Sequence, residues 1–365
     1  NSVSFTNAFS ERWRILFVVA GLLWGGGAFS SPLDNISING YLSVEYEQHV
    51  SGDEEGDTKG SFDMDLIDLV INITPSPKLR IAMDLTWEHG AASEDNRGNV
   101  AVEYAFAEYG IIENTKIRAG KMFTNFGIYN EIHTAKPATL SVKEPLSTNK
   151  NNKLGSEIRF YPRWLTGVAL VGGAANDSAH SWDYVVQISN GETEDDETNP
   201  YEEDNNTRKA LNGRFLYRPM DDIQVGGSFY IDTMEDPESD GEIKLNSYGV
   251  HVEWENENGT GVEVEYVIGS ENYSSANNID RSAYTFMFYY QWSNRFTPYF
   301  RHEYLDPDDS VDDDEGMIDI LGVNILIEEN VYLKFELDRF DTKIANSDFG
   351  ESTFTEFKAS LSIGF

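Results

Sequence analysis

The chain has 365 residues and a formal net charge of −36, with 27 Lys and Arg against 63 Asp and Glu. That balance excludes a general nucleic-acid partner, because binding a polyanion needs clustered cations. The absence of cysteine excludes a disulfide framework, a thiolate nucleophile, Cys-ligated zinc and c-type haem attachment, and no run of about 18 apolar residues after residue 30 allows a membrane helix.

In chain order, residues 1–11 form an upstream extension whose pattern gives it no role. Arg12 and Arg14 then precede the apolar stretch Ile15 to Trp24 and the small-residue segment Gly25 to Ser31. A basic region, a short apolar region and a small-residue end predict a secretory signal over 1–30, with the mature chain starting near Ser31; an uncleaved anchor is the alternative.

From Ile36 onward, apolar and polar residues alternate in bursts of about ten, the period of a strand with a different solvent on each face. Val331, Leu333, Phe335 and Leu337 interleave with Tyr332, Lys334, Glu336 and Asp338, and Tyr284, Phe286, Phe288 and Tyr290 form one face of another strand. The pattern predicts strands near 36–47, 61–74, 79–88, 99–110, 115–123, 161–173, 182–190, 207–218, 223–232, 243–254, 261–269, 281–292, 297–305, 317–327, 331–340 and 352–365. Short connections such as Pro75 to Lys78 and Glu328 to Asn330 take turns with long acidic ones such as Gly191 to Asn206 and Asp306 to Gly316. An even strand number with tight turns at one end and long loops at the other describes a single transmembrane antiparallel β-barrel over 31–365, in a bacterial outer membrane. Ser156 to Phe160 is assigned to a loop, because a seventeenth strand would put the acidic loop at 191–206 on the wrong side. A soluble β-sandwich adhesin would alternate too, but it has no use for aromatic girdles at strand ends. Terminal Phe365, after Phe357, Leu361 and Ile363 at alternating positions, is similar to the signal read by the barrel assembly machinery.

One segment inverts the charge. Between Lys116 and Arg163 lie nine Lys and Arg but only Glu131, Glu144 and Glu157 as acids. It contains the longest connection, about 124–159, and a connection that long in a compact protein usually has a task. The expectation is that this loop folds inward and narrows the bore. Arg118, Lys121, Lys136, Lys143, Lys150 and Lys153 would then be the anion-binding set, with Glu253, Glu263, Glu265, Glu336 and Asp338 on the opposing wall. Cationic side chains in a narrowed pore lower the barrier for anions. The alternative is a loop lying outside with its charges solvated.

Within this region Ala119-Gly120-Lys121-Met122-Phe123, followed by Phe126-Gly127-Ile128-Tyr129-Asn130-Glu131, resembles the Gly-Lys…Pro-Phe-Gly…Tyr-Asn pattern of the phosphate-selective porin O and P family. The match covers about 15 residues and departs at Asn125, where the pattern has Pro. The resemblance implies a sixteen-stranded fold, a homotrimer and passive diffusion with a preference for anions such as phosphate.

The remaining signals are weaker. His49, His89, His133, His180, His251 and His302 are scattered without metal-ligand spacing, and carboxylate pairs such as Asp63 with Asp65 read as lumen lining. No metal, cofactor or catalytic residue is expected. The expected partners are small anionic or hydrophilic solutes, outer-membrane lipid and lipopolysaccharide. The rival functions are an outer-membrane hydrolase, a secreted adhesin and a cation-preferring general porin.

Overall fold

The computed structural model describes residues 35–52, 59–88, 100–148, 158–174, 180–192, 204, 206–236, 241–274, 277–344 and 352–365. The proposed signal segment lies outside them, as do Lys150 and Lys153. Sixteen strands run in chain order: β1 (Ile36–Gly52), β2 (Ser61–Ser76), β3 (Leu79–Glu88), β4 (Ala101–Ile112), β5 (Thr115–Phe123), β6 (Trp164–Ala174), β7 (Ser181–Ser189), β8 (Ala210–Met220), β9 (Ile223–Glu235), β10 (Glu242–Glu255), β11 (Thr260–Tyr273), β12 (Ile279–Tyr290), β13 (Phe296–Asp306), β14 (Gly316–Glu328), β15 (Val331–Thr342) and β16 (Ser352–Gly364). Each pairs antiparallel with its sequence neighbours, and β1 pairs β16 to close the barrel. Closure leaves no sheet edge, the condition for strands to sit in lipid. At the seam, Gly40 and Phe365 exchange backbone hydrogen bonds of 2.8 and 3.0 Å. A Cβ on Gly40 would run into the Phe365 ring, so the seam needs glycine there.

Alternation sets the two faces. On β12, Tyr284, Phe286, Phe288 and Tyr290 are exposed while Ala283, Thr285, Met287 and Tyr289 are buried. The same parity holds on β15, with Leu337 outside and Lys334, Glu336 and Asp338 inside. The outer face is therefore mainly apolar, the arrangement of a lipid-spanning wall, while the inner face mixes charged and polar side chains with a buried apolar cluster that includes Met287, Ile318, Ile320 and Phe340. Trp292 and Phe296 are exposed at the short-turn end of this wall, the place of an aromatic girdle. Two of the tight turns use asparagine in the left-handed region, Asn114 (φ 57°) and Asn330 (φ 62°), which asparagine tolerates better than most residues.

Strand boundaries move in a few places. β6 begins at Trp164 rather than 161, because Pro162 has no N–H for a ladder while Phe160 and Tyr161 turn into the interior cluster. The end of the preceding loop is tied there by Thr124 N–H donating to Arg163 O at 2.9 Å. The described part of 156–160 is not a strand.

Candidate functional site

Between β5 and β6 the segment Thr124–Thr148 contains two 3-10 turns, Asn130–Ile132 and Lys136–Ala138, and is largely buried. Its partners lie on inward positions around most of the barrel. Asn125 N–H donates to Asn212 Oδ1 on β8 (3.1 Å) and Gly127 N–H to Ser228 Oγ on β9 (3.1 Å). Glu265 on β11 accepts from Ile128 N–H (2.7 Å) and Ser147 Oγ (3.1 Å), and Glu263 accepts from Tyr129 Oη (2.5 Å). Glu303 on β13 accepts from Leu146 N–H (2.7 Å), and Glu336 on β15 accepts from Val142 N–H (2.8 Å). In the other sense, Arg301 donates to Lys143 O (2.8 Å) and Lys334 Nζ to Lys136 O (2.6 Å) and Ser141 O (2.9 Å). A segment bonded to the inner face of strands from β8 to β15 occupies the bore. Irregular backbone inside a barrel needs such partners for its peptide groups. Asn125 supplies an N–H where proline could not, and that N–H is used.

The lysines of this segment are paired. Lys143 Nζ meets Asp65 Oδ1 at 3.2 Å and makes a closer contact with Glu45, while Lys136 lies 3.6 Å from Asp65 and 3.7 Å from Glu144. Burial works against both ammonium groups, yet Asp65 with Glu45 or Glu144 holds their pKa values above the ordinary lysine range. Burial alone would raise the Glu144 carboxyl, but Lys136 and Arg163 pull it well below the usual carboxylate range. The irregular register of β1 against β2 between Ser43 and Glu45 helps bring Glu45 and Asp65 to this place.

Arg118 faces inward on β5. Its Nη2 lies 2.8 Å from Glu108, which also meets Lys116 Nζ at 2.9 Å and Arg80 at 3.9 Å, and its guanidinium stands 4.4 Å over the Phe106 ring. Lys121 has the opposite parity. It shares a face with Ile117 and Val168, both exposed, and its Nζ donates to Val102 O at 2.5 Å and stands 5.0 Å from the Trp164 ring. Arg118 and Lys121 therefore project from opposite sides of the wall, as strand alternation over three residues requires.

The five acidic residues expected on the opposing wall all point inward. Glu263, Glu265 and Glu336 bond the segment itself, Asp338 pairs with Lys358 at 2.7 Å, and Glu253 accepts from Gln224 at 2.5 Å. The sequence pattern did not single out Arg301, Lys334, Glu303 or Glu45 as site residues, and it marked Asp65 only as lumen lining. A parity check on β13 would have flagged Arg301 and Glu303, which alternate with Phe300 and His302.

No family model and no curated protein matches the sequence. Among solved structures, an anion-selective porin from Comamonas acidovorans superposes with a TM-score of 0.62 at 10% identity, covering 90% of this chain and 99% of that one. The outer membrane channel DcaP of Acinetobacter baumannii gives 0.61 at 11% identity, covering 90% and 97%. OmpT, an outer membrane protein of Vibrio cholerae in its trimer form, gives 0.58 at 10% identity, covering 90% and 99%. At these identities the likeness concerns the fold. The fold is that of outer-membrane porins, and a closed sixteen-stranded barrel with an apolar outer wall belongs in a bacterial outer membrane.

Proposed function

We propose that the chain is a porin giving passive diffusion of small hydrophilic solutes, a channel rather than an enzyme, with a preference for small anions such as phosphate. The carrying observation is the bore itself, an inner wall rich in buried charged side chains with an irregular segment bonded across it. An inward segment narrows a sixteen-stranded lumen, and a narrowed lumen can select. The anion preference draws on Arg80, Lys116 and Arg118, three cations grouped about Glu108. It draws also on the basic run that includes Lys150 and Lys153. A homotrimer, in contact with outer-membrane lipid and lipopolysaccharide, is part of the proposal. It is supported by the trimer form of one structural neighbour.

One observation favours a cation-preferring channel instead. Lys136, Lys143 and Arg163 share Glu45, Asp65 and Glu144, three cations against three carboxylates, so the segment's cluster offers an anion no net positive charge while the chain as a whole carries −36. Reversal potential in a planar bilayer under a potassium chloride gradient separates the two readings. Chloride permeating better than potassium supports the anion channel; potassium ahead of chloride replaces it by the cation channel, and no conductance rejects both.

A further inference from the structure

At the long-loop end of the barrel, a small cleft lies among the ends of β9 to β12, Glu192 just after β7, and the last residues of the β5–β6 connection. Two guanidinium groups and two carboxylates border it. Arg159 Nη1 lies 2.8 Å from Glu192 Oε1, and Arg281 Nη2 lies 2.6 Å from Glu271 Oε1. Phe160, Met234 and Leu245, all buried, supply its apolar part.

Several bonds hold this set in place before any solute arrives. Glu192 N–H donates to Asp232 Oδ2 at 2.8 Å, Tyr273 Oη donates to Glu271 Oε2 at 2.9 Å, and Arg281 Nη1 donates to Arg159 O at 2.9 Å. Ser247 Oγ donates to Phe160 O and fixes the aromatic floor. A Cβ at position 269 would stand 3.0 Å from the Phe160 ring and 3.1 Å from Ser247 Oγ, so Gly269 keeps the space open. Arg281 is 7% exposed, and its Nε–H has no hydrogen-bond partner among the described residues. A buried donor without an acceptor is uncommon and points to a missing one.

Charge decides what such a cleft takes. Its two cations and two carboxylates balance, so a simple anion or cation gains little net attraction. A molecule carrying both charges can meet a guanidinium and a carboxylate together, each in a charge-assisted hydrogen bond. The apolar floor adds a place for a short hydrocarbon side chain. We propose that this cleft binds a small zwitterion with a short aliphatic side chain, the chemistry of a free amino acid, at the mouth of the channel. The inference rests on the porin reading and names a solute class for it.

The test uses the intact protein in a planar bilayer with L-valine, 3-methylbutanoate, which lacks the ammonium, and isobutylamine, which lacks the carboxylate. Valine added on the long-loop side is expected to interrupt single-channel current at concentrations at least tenfold below those of either analogue. Glu271→Gln should weaken the valine effect at least tenfold. Equal effects of the three compounds, or no effect in a conducting channel, overturn the site and leave the porin reading standing. Were there no conductance, the porin reading would fall, and calorimetric titration of the detergent-purified protein would decide the site alone. Valine binding that is tenfold tighter than that of the analogues keeps it; absence of binding removes it.

Discussion

Replacing Glu265 by Ala tests whether strand-mounted carboxylates hold the inward segment in the bore. The substitution removes the acceptor of two donors, Ile128 N–H at 2.7 Å and Ser147 Oγ at 3.1 Å. Glu265 is 1% exposed, so bulk water does not readily replace it. A hydrogen bond to a charged group contributes about 1.5–3 kcal/mol, so losing two at the lower figure makes local opening roughly 3 kcal/mol easier. Amide exchange at Ile128 should then quicken about a hundredfold. Neighbouring anchors remain, with Gly127 N–H on Ser228 Oγ and Tyr129 Oη on Glu263, so the segment loosens without leaving the bore. Glu265→Gln keeps a neutral acceptor and should quicken exchange only about tenfold. Hydrogen–deuterium exchange in micelles reads the effect by comparing peptides over 124–133 with peptides from β11. Unchanged exchange at Ile128, or an equal loss of protection throughout β10 to β12, would refute the assignment.

Other outcomes follow from the same geometry. Lys143→Met leaves Glu45 and Asp65 short of a buried partner and should destabilise the folded protein by about 3–5 kcal/mol, seen as a lower thermal midpoint in detergent; an unchanged midpoint contradicts it. Arg118→Gln should move the reversal potential toward cation preference, whereas Lys121→Gln, on the outer face, should not, and equal shifts would show the two side chains sharing a face. In the β13–β14 loop, partial burial and then Asp306 and Asp308 push the Asp314 carboxyl up to about 6. Because its folded value is raised, the ionised form is the disfavoured one: this loop gains stability as pH falls through about 6 and loses it as pH rises. A carbon-13 titration placing Asp314 at or below 3.8 would exclude that account.

The barrel was legible because its two solvents impose a two-residue period on every strand, and no distant contact is needed to read that. Tyr284 to Tyr290 and Val331 to Asp338 declare their faces locally. The same period, applied to β5, separates Arg118 from Lys121, which a count of positive charges groups together. The path of the inward segment was beyond such reading. Leu146 N–H meets Glu303 across 157 residues and Val142 N–H meets Glu336 across 194, and no local pattern announces either pairing. From sequence, Glu263, Glu265 and Glu336 face lysines across a gap. In the structure they take up the segment's own donors, because peptide N–H groups without a ladder need acceptors more urgently than distant ammonium groups do.

The inner charges thus divide by what they touch. Glu265, Glu303, Glu336, Arg301 and Lys334 bond the segment, so their charge and the width of the bore are linked. Arg80, Lys116 and Arg118 meet Glu108 on the wall, near the short β4–β5 turn, and bear on the field without carrying the segment. Neutralising a member of the first group should change conductance and ion selectivity together, since the segment shifts as the charge goes. Neutralising Lys116 or Arg118 should change selectivity at nearly constant conductance. Single-channel recordings of Glu336→Gln and Lys116→Gln side by side make the comparison. Selectivity moving alone in Glu336→Gln would mean that the segment's position does not depend on the carboxylates bonded to it, and conductance moving with selectivity in Lys116→Gln would mean that the wall cluster also holds the segment.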